Sequence, residues 1–230
     1  MQEAQVDSLL RVSEKLRVAA DKVGKFGSVF IVPLVVVTMW DVVIRKVGGL
    51  QVWLIENVGP IFESTIIQEL EWHFHTALFV LVLGYGYVNN RHVRVDLVRE
   101  KLQFRRQAWI EFVGITFFLV PYTLIVGWFA LNYAVESFLI NEISASTVGL
   151  PMRWIIKSFL FVGLLVTFLA GVSVWLQVVC VLFGPQEKRF SLMTLEWPEE
   201  QSRKEVLRKR IAENEKAKKL GRQNLADFDD

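Results

Sequence analysis

The stretch Gln68–Leu102, QELEWHFHTALFVLVLGYGYVNNRHVRVDLVREKL, limits the possible folds more than any other. It opens on four ionisable residues at alternating positions, Glu69, Glu71, His73 and His75. An apolar run from Ala77 to Val88 follows, and the basic turn Asn89–Asp96 closes it. A helix needs about 20 residues to cross a bilayer. Counted back from Val88, that length reaches Glu69. The helix spans only if its first two turns carry ionisable groups into the membrane, where such groups are costly and face protein or a wet cavity. The stretch predicts a membrane helix with one polar end that needs a partner.

Of the 230 residues, 53% are hydrophobic, and they fall in long runs rather than being spread evenly. That segregation predicts an all-α integral membrane protein, with four transmembrane helices and interfacial amphipathic helices. The single cysteine, Cys180, rules out an intrachain disulfide. The first 25 residues mix acids and bases without a compact apolar core, so no secretory signal peptide is expected.

Three domains are expected. Residues 1–25 form a cytoplasmic amphipathic helix. Its apolar positions Val6, Leu9, Leu10, Leu16, Ala19, Ala20 and Val23 share one face, and the helix is expected to lie on a membrane surface. Residues 26–184 form the membrane domain, with spans at about 26–46, 66–88, 109–133 and 154–183. Pro33 is tolerated inside the first span, and Pro121 predicts a bend in the third. The apolar loop 47–65, with Trp53 and Phe62, is expected along the interface. Gly184-Pro185 ends the fourth span. Residues 185–230 form a charged cytoplasmic tail, partly helical, with a helix start at Pro198-Glu199-Glu200 and the pairs Glu205–Lys209 and Glu215–Lys219 one turn apart.

Lys and Arg alternate across the spans. They crowd the segment before the first span, the loop 89–108 and the tail, and are absent from the loops 47–65 and 134–152. Such an excess marks the cytoplasmic side. Both termini are therefore expected in the cytoplasm.

With that topology, Asp41 and Arg45 end the first span at the outer side, Glu69 and Glu71 begin the second there, and Arg153 and Lys157 begin the fourth. One reading is an ionic layer between helices or subunits in the outer leaflet, with Glu69 and Glu71 as acids and Arg45, Arg153 or Lys157 as bases. The other is that each side chain reaches separately for headgroups. His73 and His75 are two apart and point to different sides of a helix, while His92 lies at the opposite end. No second helix supplies a histidine, so no haem, metal or other cofactor is expected. Phosphate-binding glycine loops, nucleophile elbows and zinc signatures are absent from the sequence, and no catalytic residue or nucleic-acid partner is expected.

Several short elements carry a resemblance. Gln68-Glu69-Leu70, Gly84-Tyr85 and above all the turn His92-Val93-Arg94-Val95-Asp96 are similar to the small membrane subunit of tripartite ATP-independent periplasmic (TRAP) transporters. Asp41–Arg45 and Gly149–Lys157 look similar too. The resemblance covers roughly residues 26–184 and leaves out the N-terminal helix and the tail. It implies a non-enzymatic scaffold subunit in a bacterial inner membrane, with His92, Arg94 and Asp96 as a family turn on the cytoplasmic side. Its implied partners are membrane lipids, a large membrane subunit on a separate chain, and a periplasmic binding protein that captures a small organic acid. Transport would be driven by an ion gradient, with sodium the expected ion. Competing readings are the membrane anchor of a redox complex and an autonomous small carrier. A carrier needs broken helices meeting at mid-bilayer, which four spans with apolar inner halves do not supply.

Overall fold

The structure is a computed structural model that describes residues 1, 3–91, 102–146, 148–185, 190, 194–195, 207 and 210–211. Among the described residues all regular structure is helical. Helix α1 (Glu3–Ser28) leads through a two-residue break into α2 (Ile31–Lys46). The break falls where Pro33 requires it. A proline ring clashes with the carbonyl four residues earlier, here Val29, and is tolerated in a helix's first turn. A short helix α3 (Leu50–Asn57) and a 3₁₀ turn (Pro60–Phe62) connect to α4 (Ser64–Val88). Helix α5 (Phe104–Gly114), a π-helical turn (Ile115–Leu119) and α6 (Val120–Leu139) form one continuous rod. The wider π turn ends just before Pro121, which is where helices depart from regular geometry. Helix α7 (Trp154–Phe183) completes the bundle.

Helix α7 is the hub. It packs extensively on α4, α6 and α1, and α4 in turn packs on α1 and α2. Close approach is what small residues allow. At Gly163 a Cβ would sit 2.5 Å from the Val80 carbonyl oxygen, and at Gly27 another would sit 2.5 Å from Leu81 Cβ. Helices without side chains at the crossing gain van der Waals contact along their backbones, the main attraction available between helices in lipid. One core cluster joins Ala108 and Ile115 to Val174, Val178 and Leu182; a second joins Ala20 and Val88 to Val166 and Ala170.

Helix α1 departs from the expectation that its apolar face rests on a membrane surface. Its buried positions Val6, Ser13, Ala20 and Gly27 recur every seven residues, with Gly24 beside them, and that seam is covered by α4 and α7. The physical reason is residue size. Ser13, Ala20 and the glycines are small enough for a neighbouring helix to seat directly on them. Ser13 and Ser173 seal the seam by exchanging hydrogen bonds, each hydroxyl donating to the other's backbone carbonyl at 2.8 and 2.7 Å.

The outward faces of α2 and of the α5–α6 rod are apolar. Val35, Val36 and Val42 of α2 and Phe117, Phe118, Ile125 and Phe129 of the α5–α6 rod are exposed, whereas Thr123, Ser137, Thr167, Ser173 and Gln177 are buried. By length and apolar composition three helical stretches can cross a membrane: Glu3–Lys46, Phe104–Leu139 and Trp154–Phe183. Helix α4 has the length, with 25 residues, but is not among the three. Gln68, Glu69, Glu71, His73 and His75 dilute its first half. Composition thus supports three spans where the sequence reading expected four.

The Gly163 crossing is testable. Gly163→Leu should lower the melting temperature in detergent clearly, since overpacking costs about 1–3 kcal/mol. Gly48, with nothing within 4 Å of its would-be Cβ, serves as control through Gly48→Ala. Equal melting temperatures for the two variants would refute the close α4–α7 approach.

Candidate functional site

One end of the bundle, the one expected to face outward, holds the charged residues, because α2 ends there and α4 and α7 begin there. The first group is local. Asp41 and Arg45 lie one turn apart on α2 and pair through two contacts, Nε to Oδ1 at 3.0 Å and Nη2 to Oδ2. Helix α4 closes the group. Ser64 Oγ donates to Asp41 Oδ1 at 3.3 Å, and the Gln68 amide oxygen, in the orientation that satisfies both side chains, accepts from Arg45. Asp41 is buried and Arg45 is half exposed.

Glu69, buried on α4, spends both carboxylate oxygens on the loop between α6 and α7. Oε1 accepts from the Ser144 hydroxyl, and Oε2 accepts from the Leu150 backbone N–H at 2.6 Å. Asn141 and Met152 take left-handed backbone angles, φ 48 and 61, at the two ends of that loop. Short polar residues such as asparagine are the commoner occupants of that region. A helix carboxylate thus does for the loop what backbone pairing does elsewhere, because each buried N–H must find an acceptor.

The third group is built on Glu142. Lys157 donates to Oε2, Arg153 Nη1 stands 3.9 Å from Oε1, and the Arg153 N–H donates to the Glu142 carbonyl at 3.3 Å. Both bases also lie over aromatic faces. Lys157 Nζ is 3.6 Å from the Tyr133 ring centre, and the Arg153 guanidinium is 5.6 Å from that of Trp72. Cations over aromatic faces gain about 0.5–2 kcal/mol, more where desolvated. The Lys157 ammonium, helped by Arg153, holds the Glu142 carboxyl below its ordinary value.

The six charged residues expected to meet at this depth do lie at one end, but in separate groups. Arg45 serves Asp41, Arg153 and Lys157 serve Glu142, and Glu69 takes neutral donors. Glu71 makes no hydrogen bond or ion pair with any described residue. Sequence reasoning missed Glu142, Ser144 and Gln68. Glu142 had a signal, since the loop 134–152 carries acids without bases and is followed at once by Arg153 and Lys157. Ser144 and the Leu150 N–H had none, because no pattern tells which loop donor folds onto a distant carboxylate. His73 Nδ1 contacts the Glu69 carbonyl, while His75 is exposed. His92, Arg94 and Asp96 lie outside the described residues.

At the opposite end of the bundle, weaker contacts tie the helices. Tyr87 hydroxyl donates to Glu111 at 3.3 Å, Trp175 Nε1 donates to Thr116 Oγ1 at 2.9 Å, and Asn89 donates to Asp21 at 3.4 Å. Asp21 is also paired with Lys25 at 2.6 Å.

Because the Glu142 carboxyl is held lower in the folded state than in the unfolded one, its stabilising effect is complete above the ordinary carboxylate value. It is lost as pH falls from there through the folded value. Melting temperature in detergent should therefore decline on acidification over that window, and Glu142→Gln should flatten this part of the decline. An unchanged slope in the variant would show that Glu142 is not held by the bases.

The model of one transporter family, described as tripartite ATP-independent periplasmic transporters, DctQ component, matches residues 34–181. The match begins in α2 and ends in the last turn of α7, and so takes in all three charged groups and the turn 92–96. No curated protein and no solved structure matches the chain. Since the family's pattern covers more than half of the sequence, this membrane protein belongs to the DctQ family and is the small subunit of a TRAP transporter.

Proposed function

We propose that the chain is a scaffold subunit in an ion-driven importer of a small organic acid, and that it does not itself carry the substrate. The observation that supports this most is the closed state of its outer end. Glu69 and Glu142 both hold the α6–α7 loop, the first from α4 and the second onto α7. Asp41 and Arg45 bond to α4 from α2. A moving carrier needs two discrete arrangements of such contacts. A substrate site of the usual kind needs interrupted helices whose ends meet at mid-bilayer. Here the departures from regular helix, at Val29–Phe30 and Ile115–Leu119, fall among exposed apolar side chains such as Phe26, Val32, Phe117 and Phe118.

On this reading α4 is a fourth span. It runs antiparallel to α2 and parallel to α7, and its polar first half is acceptable in a membrane because Glu69 is already satisfied by protein. The chain lies in a bacterial inner membrane with both termini and the tail 185–230 in the cytoplasm, as the alternation of basic loops supports. A large membrane subunit carries substrate and ion sites, and a periplasmic protein delivers the acid. Sodium is the proposed coupling ion.

Topology is checked with reporters. A cytoplasm-active enzyme fused after Arg106 should be active, and one fused within 47–65 or 134–152 inactive; activity in either of the latter loops would invert the orientation. Function is checked in liposomes under an inward sodium gradient. The chain alone should give no uptake of organic acid, while the chain with the large subunit and the binding protein should give it. Uptake by the chain alone, or full uptake by the other two without it, would sink the scaffold reading.

A further inference from the structure

The outward side of α4 is polar where a lipid-facing side would be apolar. Gln68 and His75 are exposed, Glu71 is only partly buried beside them, and Phe79 continues the same stripe as an exposed ring. At a 1.5 Å rise per residue, His75 stands about 20 Å above Val88 and Glu71 about 26 Å. Both heights fall inside a hydrocarbon layer of about 30 Å that begins near Val88. Glu71 and His75 make no hydrogen bond or ion pair with any described residue. The nearest base, Arg45, is already spent on Asp41 and Gln68. Asp41 and Glu71 thus both lie in the field of Arg45, while Lys46, the last residue of α2, is exposed. Carboxylates at such depth are costly unless paired. An ionised Glu71 is left there with no base bonded to it among the described residues.

We propose that this stripe, Gln68, Glu71, His75 and Phe79 with Arg45 at its rim, is where the large membrane subunit docks a transmembrane helix. That helix presents a Lys or Arg to Glu71 at outer-leaflet depth. The inference rests on the tripartite reading above and adds the face and the charge of the contact. Charge complementarity selects the occupant. A lipid tail cannot compensate Glu71, and a second copy of this chain would bring a second Glu71 to the seam. The exposed face of the α5–α6 rod, with Phe117, Phe118 and Phe129, carries no such demand and suits lipid.

The test uses the full chain co-expressed with the large subunit. A photo-crosslinking amino acid placed at His75 should give an adduct with the large subunit, and one placed at Phe118 should not. Glu71→Lys should lower co-purification of the large subunit at least tenfold, with the melting temperature of the isolated chain unchanged. Glu71→Gln should have a smaller effect, and reversing the partner's base to Glu should restore the complex of Glu71→Lys. Adducts at Phe118 instead of His75, adducts to a second copy or to lipid alone, or undiminished co-purification of Glu71→Lys would each overturn the proposal. A wild-type chain that co-purifies no large subunit would instead overturn the tripartite reading beneath it.

Discussion

Two carboxylates near the start of α4 are the constraint around which one end of this bundle is arranged. Glu69 and Glu71 sit two apart and so cannot share one neighbour. Glu69 faces inward and is buried. Its desolvation is offset by two donors, the Ser144 hydroxyl and the Leu150 amide, both drawn from the loop that joins α6 to α7. That choice leaves Arg153 and Lys157 without α4 as their counter-charge, and Glu142 supplies it from the same loop. A single buried acid thus decides how the loop folds and which acid neutralises the start of α7. Hydrogen bonds to charged groups contribute about 1.5–3 kcal/mol each. Losing one partner costs more than the pair gains, because the other is left buried and bare.

Below that charged end the bundle is held by shape. The α4–α7 and α1–α4 crossings run through Gly163, Gly84, Gly24 and Gly27, where any Cβ would meet a neighbour closer than 3 Å. Hydrophobic burial contributes little to helix association when the surroundings are as apolar as the interior. Backbone proximity and buried polar pairs take its place, and Ser13–Ser173 is the clearest such pair. Thr123, Thr167, Ser173 and Gln177 turn inward beside the branched core, while Val35, Phe117 and Phe129 turn outward. Helix α1 belongs to this same system, which is why it stands along α7.

Several of these features were legible in the sequence and several were not. Helix α7 was read to its ends, because an unbroken apolar run bounded by Arg153 and Gly184-Pro185 has few alternatives. The irregularity before Pro121 was legible for the same local reason. The placement of α1 does not follow from its apolar periodicity alone but from the small residues Ser13, Ala20 and Gly27 that recur along its buried seam. Amphipathicity says that one face is covered; only side-chain size says what covers it. The charged residues lie together at one end of the bundle, but Glu69 bonds to Ser144 and Leu150 and the bases Arg153 and Lys157 to Glu142. Depth follows from counting along helices, whereas pairing depends on how a loop folds back, as Ser144 and Leu150 do onto Glu69. The turn at His92, Arg94 and Asp96, the most specific family element in the sequence, lies outside the described residues.

The balance of satisfied and unsatisfied groups bears on how such a subunit is used. A part that moves against its neighbours is expected to keep charged contacts that can be exchanged. Here Asp41, Glu69 and Glu142 are each bonded to an adjacent helix or loop, so sliding one of those helices would break a bond in low dielectric without offering a replacement. That argues for rigidity inside the chain. The outward-facing Glu71 and His75 argue the opposite for its surface, since their side chains find no partner among the described residues. A body rigid within and unsatisfied along one face is completed by docking. The binding of a second membrane protein would then add a contact without remodelling the first, as a static support beside a moving domain requires.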